Sequence, residues 1–512
     1  MNVADWIDRH ADFTPDKMAL RYGEGGYSYA GLAVAVARLA GVLQKRLRVR
    51  AGDRVAYVGY NSPEMLILLL ACARVGAIFL PLNWRLAAPE HRAIVNDCEP
   101  VVLFAREEFV ARVEENRGRI ACRSLVTYGQ PAQGWLGYAD LLEDAVALRG
   151  RDSQAGYDAP LLLCYTSGTT GLPKGALLSQ NALLHAAINS AHMHDLTSED
   201  RVLTSLPLFH VGGLNIQTLP ALHAGATVTL QATFDPLATL AAIAEQAITL
   251  TVLVPAQLVA ILATPQWQTT DLSSLRVIST GSTLVPASLI AAVHARGVPL
   301  IQVYGATETS PIATYLTRSD AQRKPGSAGK AALHCEMRIV DEQDREVARG
   351  ASGEILIRGP NVMTGYWNQP EATAACLRNG WYYTGDVGHL DAEGYLYVDD
   401  RKKEMIISGG ENIYPAELEN LLAGHEAIVE AAVVGRPDAK WGEIPVAVVV
   451  LKNGHTLDRE ALASFFEGKL ARFKHPRDLI CVDALPRNPL GKIQKQILRE
   501  MVAASAAGAA AG

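Results

Sequence analysis

At 512 residues the chain is too long for a single core, and two or more domains are expected. Its 49% hydrophobic and 20% charged residues are the mix of a globular protein with a large apolar interior. A formal net charge of −6 with no long basic run argues against a nucleic-acid binder, whose affinity comes from Lys and Arg neutralising phosphates.

The opening stretch, MNVADWIDRHADF, lacks the basic-then-apolar pattern of a secretory leader, so a cytoplasmic protein is expected. Residues 53–59 read as a strand. Asn61-Ser62-Pro63 then reads as a helix start, with a capping residue followed by proline in the first turn. The helix runs to about Gly76, and Ala77 to Leu82 forms a second strand. This β-α-β order predicts a mostly parallel sheet covered by helices. The apolar run Met65–Leu82 is interrupted by Arg74 and Gly76 and flanked by Pro63 and Pro81, which suits a buried helix and strand rather than a membrane span. The alternation returns from Arg201 to Ile301, with strands predicted at 227–230, 249–255 and 275–279. After about Lys330, short alternating strands punctuated by Gly, Pro and Asp predict an antiparallel or barrel-like section. The charged run 399–404 reads as solvated surface or linker, with enough chain beyond it for a small α+β domain. The Ala-rich end, 503–512, is expected to be disordered. Seven scattered cysteines without a CxxC pair fit reduced thiols better than disulfides or zinc.

The densest chemistry lies in Tyr165–Gly175, which follows a predicted strand at 161–164. Within eleven positions stand Thr166, Ser167, Thr169 and Thr170, the glycines 168, 171 and 175, and Lys174. Glycines let backbone N–H groups turn toward an anion, the hydroxyls donate, and the lysine adds charge. This is a polyphosphate cradle, and its spacing is not that of a Walker A loop.

This loop resembles the signature loop of the adenylate-forming superfamily: acyl-CoA synthetases, nonribosomal-peptide adenylation domains and beetle luciferases. Further segments resemble that family's other signatures, in the same order: Leu206-Pro-Leu-Phe-His-Val-Gly-Gly213, Tyr304-Gly-Ala-Thr-Glu-Thr309, Tyr383-Thr-Gly-Asp386, Asp400-Arg-Lys-Lys403 with Ser408-Gly-Gly-Glu-Asn-Ile-Tyr-Pro415, and Pro489-Leu-Gly-Lys492. The resemblance runs from about residue 5 to 500. It implies an α/β fold. A large N-terminal domain, 1–400, would comprise two similar α/β subdomains and a β-barrel-like one, and a small mobile α+β C-terminal domain would span 401–502.

It also implies a two-step ligase using ATP, Mg2+ and coenzyme A. A carboxylate meets the α-phosphate of ATP, so positive charge must stand where negative charge collects. Lys492 matches the lysine that reaches both groups. Glu308 matches the magnesium-associated glutamate, with Thr166 as a second metal contact. Thr166, Ser167, Gly168, Thr169, Thr170, Gly171 and Lys174 would hold the phosphates. Asp386 and Arg401 would bind the ribose, and Tyr304 would stack on adenine. Gly281, Ser282, Gly305 and Thr307 would complete the nucleotide site. His210 would flank the carboxylate and move to admit the thiol, although it also reads as a satisfied core histidine. Lys403 is the implied hinge. Swinging about it would replace Lys492 by Ser408, Gly409 and Gly410, whose small side chains leave a channel for pantetheine. Trp441, Phe473, His475 and Arg477 lie where related ligases hold the nucleotide end of CoA, and would otherwise be packing or surface charge.

The acid pocket is expected around His210, Val211, Gly212, Gly213, Gly281 and Gly305, where the glycines would leave room. No arginine in these stretches pairs a second carboxylate. A medium- or long-chain fatty acid is the first expectation, with a benzoate-, cinnamate- or feruloyl-type acid as the alternative. Loading of a carrier protein and a non-catalytic nucleotide sensor are rival functions; the sensor would be expected to have lost Lys492 or Glu308. A homodimer is also expected.

Overall fold

The computed structural model describes residues 1–166, 173–282, 285, 287–401, 406–413, 415–486 and 493–509, with the backbone alone at 288, 399–401, 412, 416, 420 and 506–509. The chain divides into two compact units. Met1–Trp84, Ile94–Tyr165 and Gly175–Asp400 form the larger; Arg85–Ala93, Thr166–Lys174 and Arg401–Gly512 form the smaller.

The larger unit is built on two mostly parallel sheets. The β-α-β unit expected at its start is present as strand Arg54–Val58, helix Pro63–Val75 and strand Ile78–Leu82. Apart from the partly buried Glu64 in its first turn, the helix is buried along its length and apolar around its middle turns, which suits an interior element rather than an amphipathic surface one. Arg74, in its last turn, is 2% exposed and donates to both carboxylate oxygens of Asp8, at 2.7 and 2.6 Å. Gly76 ends the helix in the left-handed conformation (φ +73°), where glycine avoids the Cβ penalty. Ser62 occupies the position before the first turn but does not cap it. Its hydroxyl lies 3.2 Å from the Tyr57 hydroxyl, and Pro63 leaves no N–H there to satisfy. No helix among the described residues is long and apolar enough to cross a membrane.

This unit joins an eight-stranded sheet in which Arg54–Val58 pairs in parallel with Ile78–Leu82 and Val102–Ala105. The second sheet has nine strands. Its parallel centre runs Leu300–Tyr304, Val277–Thr280, Leu250–Val252, Arg201–Thr204, Thr227–Leu230 and Met18–Tyr22. Because these strands are parallel, the loops after 204, 280 and 304 leave the same edge, where open α/β sheets hold their ligands. The antiparallel section follows as Glu336–Val340, Gly353–Arg358, Trp381–Leu390 and Leu377–Arg378, with Leu396–Arg401 beside Trp381–Leu390.

The smaller unit carries a mixed sheet ordered Glu411–Ile413, Ile406–Ser408, Gly442–Leu451 and Ile428–Asp438, with Asp478–Cys481 parallel to Gly442–Leu451. Helices Pro415–Leu422, Arg459–Phe466 and Lys495–Ala509 accompany it. The last helix runs through 503–509 of the end expected to be disordered, and 510–512 lie outside the described residues. Alanine has the highest helix propensity, and Leu498 and Val502, both fully buried, anchor the segment.

Candidate active site

In the larger unit, candidate groups follow the ends of the parallel strands. After Val277–Thr280 comes Gly281, where a Cβ would lie 2.5 Å from the Val303 carbonyl oxygen. Ser282 then takes φ +77°, a left-handed conformation sparsely populated by non-glycine residues and often found at functional sites. After Leu300–Tyr304 comes Gly305, where a Cβ would sit 1.7 Å from the Pro311 carbonyl oxygen, so the close backbone crossing admits only glycine.

A single 3-10 turn, Thr307–Thr309, carries Glu308. Asn361 pins this turn from behind: fully buried, its amide donates to the carbonyls of Thr309 (2.7 Å) and Ile312 (2.9 Å). The Ser310 hydroxyl donates back to the Asn361 carbonyl at 2.7 Å. Glu308 is 8% exposed, and its Oε1 accepts from the Tyr366 hydroxyl at 2.6 Å. Its carbonyl accepts from the Met363 amide at 2.8 Å. Asn361 and Tyr366 escape the sequence reading because both lie in an irregular stretch and act through partners about 50 residues away.

Tyr304 and Asp386, assigned separately to adenine and ribose, are joined: the Tyr304 hydroxyl donates to Asp386 Oδ2 at 2.8 Å. The Asp386 amide donates to Thr384 Oγ1 at 3.0 Å, which fixes the backbone beside it. His210 is half-buried at the start of helix Val211–Gly213, its ring 4.5 Å from that of Phe209. The helix then widens into a π-turn, Leu214–Thr218.

Of the four pocket glycines only Gly212 leaves room, with nothing within 4 Å of its Cβ position. Gly213 faces the Pro207 carbonyl oxygen at 2.3 Å, and Gly281 and Gly305 are constrained as above. These three serve backbone packing, which corrects the expectation that all four open the pocket. Cys164 is no nucleophile: burial, with the Glu308 carboxylate adding to it, pushes its thiol up to about 12.

In the smaller unit, the Thr166 hydroxyl reaches the Lys174 carbonyl at 3.4 Å. Ser167, Gly168, Thr169, Thr170, Gly171, Lys403 and Lys492 lie outside the described residues, as does the side chain of Arg401. The residues assigned to CoA separate into two groups. Ser408 is buried, and Gly409 and Gly410 follow with φ +59° and +82°. The Gly409 amide donates to the Trp441 carbonyl at 2.7 Å, and a Cβ at 409 would meet the indole at 2.8 Å. The exposed Arg477 lies over that indole, 4.2 Å from its centre. Phe473 and His475 are half-buried and make contacts within the unit's own core. Phe473 packs on the Ile406–Phe466 core, and His475 Nε2 donates to the Leu470 carbonyl at 3.0 Å.

Among the described residues no group of three or more His, Cys, Asp or Glu side chains is placed to hold a metal. A single carboxylate such as Glu308 suits magnesium, which keeps several waters and takes other ligands from phosphates.

Models of this site's family match both parts of the chain: the AMP-binding enzyme model over residues 7–367 and the AMP-binding enzyme C-terminal domain over 417–492. The chain is 58% identical to an indoleacetate–CoA ligase of Aromatoleum aromaticum, over 98% of each chain. It is 41% identical to a feruloyl-CoA synthase of an Amycolatopsis species, over 97% of this chain and 98% of the relative. A long-chain-fatty-acid–CoA ligase of Mycobacterium tuberculosis is 36% identical over 93% of each. Among solved structures, the o-succinylbenzoate CoA synthetase of Bacillus subtilis aligns with a TM-score of 0.87 at 33% identity, covering 97% of this chain and 98% of that one. With both family models matched and relatives similar from end to end, the chain belongs to the AMP-binding enzyme family and is an ATP-dependent, AMP-forming acid–CoA ligase.

Proposed function

We propose that the acid is aromatic, an aryl-acetic acid of the indole-3-acetate kind. The observation that carries this is the 58% identity to an indoleacetate ligase, against 36% to a fatty-acid ligase. The expectation of a fatty acid therefore gives way to its aromatic alternative.

In the first half-reaction the acid's carboxylate oxygen attacks the α-phosphorus and pyrophosphate leaves. Lys492 supplies an ammonium to both anions. Asp386, oriented by Tyr304, accepts from the ribose. Glu308, held by Tyr366, would hold magnesium, which supplies positive charge to the phosphates when bound. In the second half-reaction the CoA thiol sulfur attacks the acyl carbon, its proton is lost, and AMP leaves. His210 stands beside that carboxyl group. Ser408, Gly409 and Gly410 line the pantetheine path, Trp441 and Arg477 take the nucleotide end of CoA, and Lys403 is the pivot between the two steps.

Pyrophosphate release measured with indole-3-acetate, phenylacetate, ferulate and palmitate, with and without CoA, tests this. The highest kcat/KM belongs to an aryl-acetic acid; the highest value with palmitate overturns the reading. Lys492→Ala abolishes pyrophosphate release while still converting supplied acyl-adenylate to thioester. Near-normal release in that variant would sink the lysine's role.

A further inference from the structure

Ten buried side-chain nitrogen and oxygen atoms lack a hydrogen-bond partner among the described residues, and half belong to Ser205, Asn215, Gln217 and Thr280. Ser205 directly follows strand Arg201–Thr204, and Thr280 ends strand Val277–Thr280. Asn215 and Gln217 sit on the π-turn Leu214–Thr218, which packs against Arg201–Thr204 and Leu250–Val252. All four therefore gather at the sheet edge where the candidate site lies. An orphaned buried polar group costs about 1–3 kcal/mol, and folded proteins keep few of them. Single π-turns inside helices recur at functional sites.

Hydrogen-bond polarity separates the two amides. His194 is completely buried, and burial holds its imidazole down at about 4, so the ring is neutral. Its Nδ1 lies 2.9 Å from the Ser190 carbonyl oxygen and must donate. Its Nε2 is then an acceptor, for the Gln217 amide nitrogen at 3.0 Å and the Ser279 hydroxyl at 2.7 Å. Gln217 is thus anchored to the protein interior. Asn215, 1% exposed, has neither amide atom engaged. Three residues before it, and so adjacent on the helix surface, stands Gly212, the pocket glycine with open space beside it.

We propose that Asn215 is a specificity-determining residue whose Oδ1 accepts a hydrogen bond from a ring N–H of the acid. The inference rests on the aromatic reading above and narrows it to acids that carry a donor on the ring. A site built to bond an N–H rejects the analogue without one, because its own buried acceptor is then stranded.

The test compares indole-3-acetate with 1-benzothiophene-3-acetate, which has the same outline and no N–H, by kcat/KM for pyrophosphate release. The wild type favours the indole by about 10- to 100-fold, the range for one buried hydrogen bond. In Asn215→Leu the ratio falls toward one, mainly through loss on the indole. Asn215→Ser, which removes bulk but adds no apolar strain, gives the same direction should the leucine variant fail to fold. A wild-type ratio near one means that a resident water satisfies the amide, and overturns the assignment. An unchanged ratio in a folded variant, with both acids slowed equally, overturns it as a merely structural residue. If the wild type accepts neither aryl-acetic acid but activates palmitate, the aromatic reading itself fails and takes this inference with it. Acceptance of both acids without preference removes only the inference.

Discussion

The groups assigned to the nucleotide and those assigned to CoA are held by different forces. In the larger unit, Tyr366 donates to Glu308, Tyr304 donates to Asp386, and Asn361 bonds two carbonyls of the turn that carries Glu308. These are directed bonds between buried or half-buried partners. In the smaller unit, an exposed arginine lies over a tryptophan face, and Gly409 passes beside that face in a left-handed conformation. Apart from the bond of the Gly409 amide to the Trp441 carbonyl, those contacts depend on area and tolerate small displacements. Developing charge at phosphorus demands fixed donors and acceptors, whereas gripping the far end of a long co-substrate does not.

The contrast breaks first at Glu308. Glu308→Gln keeps the shape and removes the charge, and pyrophosphate release falls by about 10²–10³, the cost of losing one preorganised electrostatic group. A loss below tenfold removes Glu308 from the charge-handling set. The next effect is on stability and follows pH. His194 is neutral in the fold because burial holds it at about 4, while an unfolded histidine titrates near ~6.5. Below that value the unfolded chain takes up a proton that the folded chain refuses. Stability therefore drops as pH falls from about 6.5 to 4, by about 2 kcal/mol at pH 5 relative to pH 7, and is flat above. Urea midpoints for the wild type and His194→Gln check this; equal slopes in the two proteins refute it. Tyr366→Phe loosens Glu308 and slows pyrophosphate release about tenfold, one lost hydrogen bond to a charged group. Its KM for CoA stays put. Trp441→Ala does the reverse: KM for CoA rises by several-fold, in the range of one stacking contact, while pyrophosphate release without CoA is unaltered. Parallel changes in both half-reactions for either variant would erase the distinction.

What the sequence made legible was periodic or local. The β-α-β run at 54–82 follows from hydrophobic pattern, proline and glycine alone. The strand at 227–230 coincides with the expected run, 250–252 lies inside the expected 249–255, and 277–280 begins two residues later and ends one residue later than the expected 275–279. The stretch assigned to phosphate stands out from composition because its hydroxyls, glycines and lysine sit side by side. What stayed hidden depends on distant partners. Nothing near Ser62 reveals that Tyr57 engages its hydroxyl. Nothing near Asn361 reveals the turn it pins. Gly213, Gly281 and Gly305 read as open space, yet each faces a carbonyl from another segment. Phe473 and His475 read as ligand contacts because aromatic and basic side chains suit CoA; nothing near them in sequence reveals that Phe473 also packs on the unit's core and that His475 also bonds the Leu470 carbonyl.

The four pocket glycines also bear on how such an enzyme diversifies. Three positions are frozen, since any side chain there pushes into main chain. Gly212 alone can accept a larger residue without moving the sheet edge. Drift in acid size, whether by descent or by laboratory selection, then has one inexpensive route. In the proposed pocket each added methylene at 212 would trim the bound acid and leave the turn bearing Glu308 untouched, so the range of acids would change while the adenylation step is inherited intact.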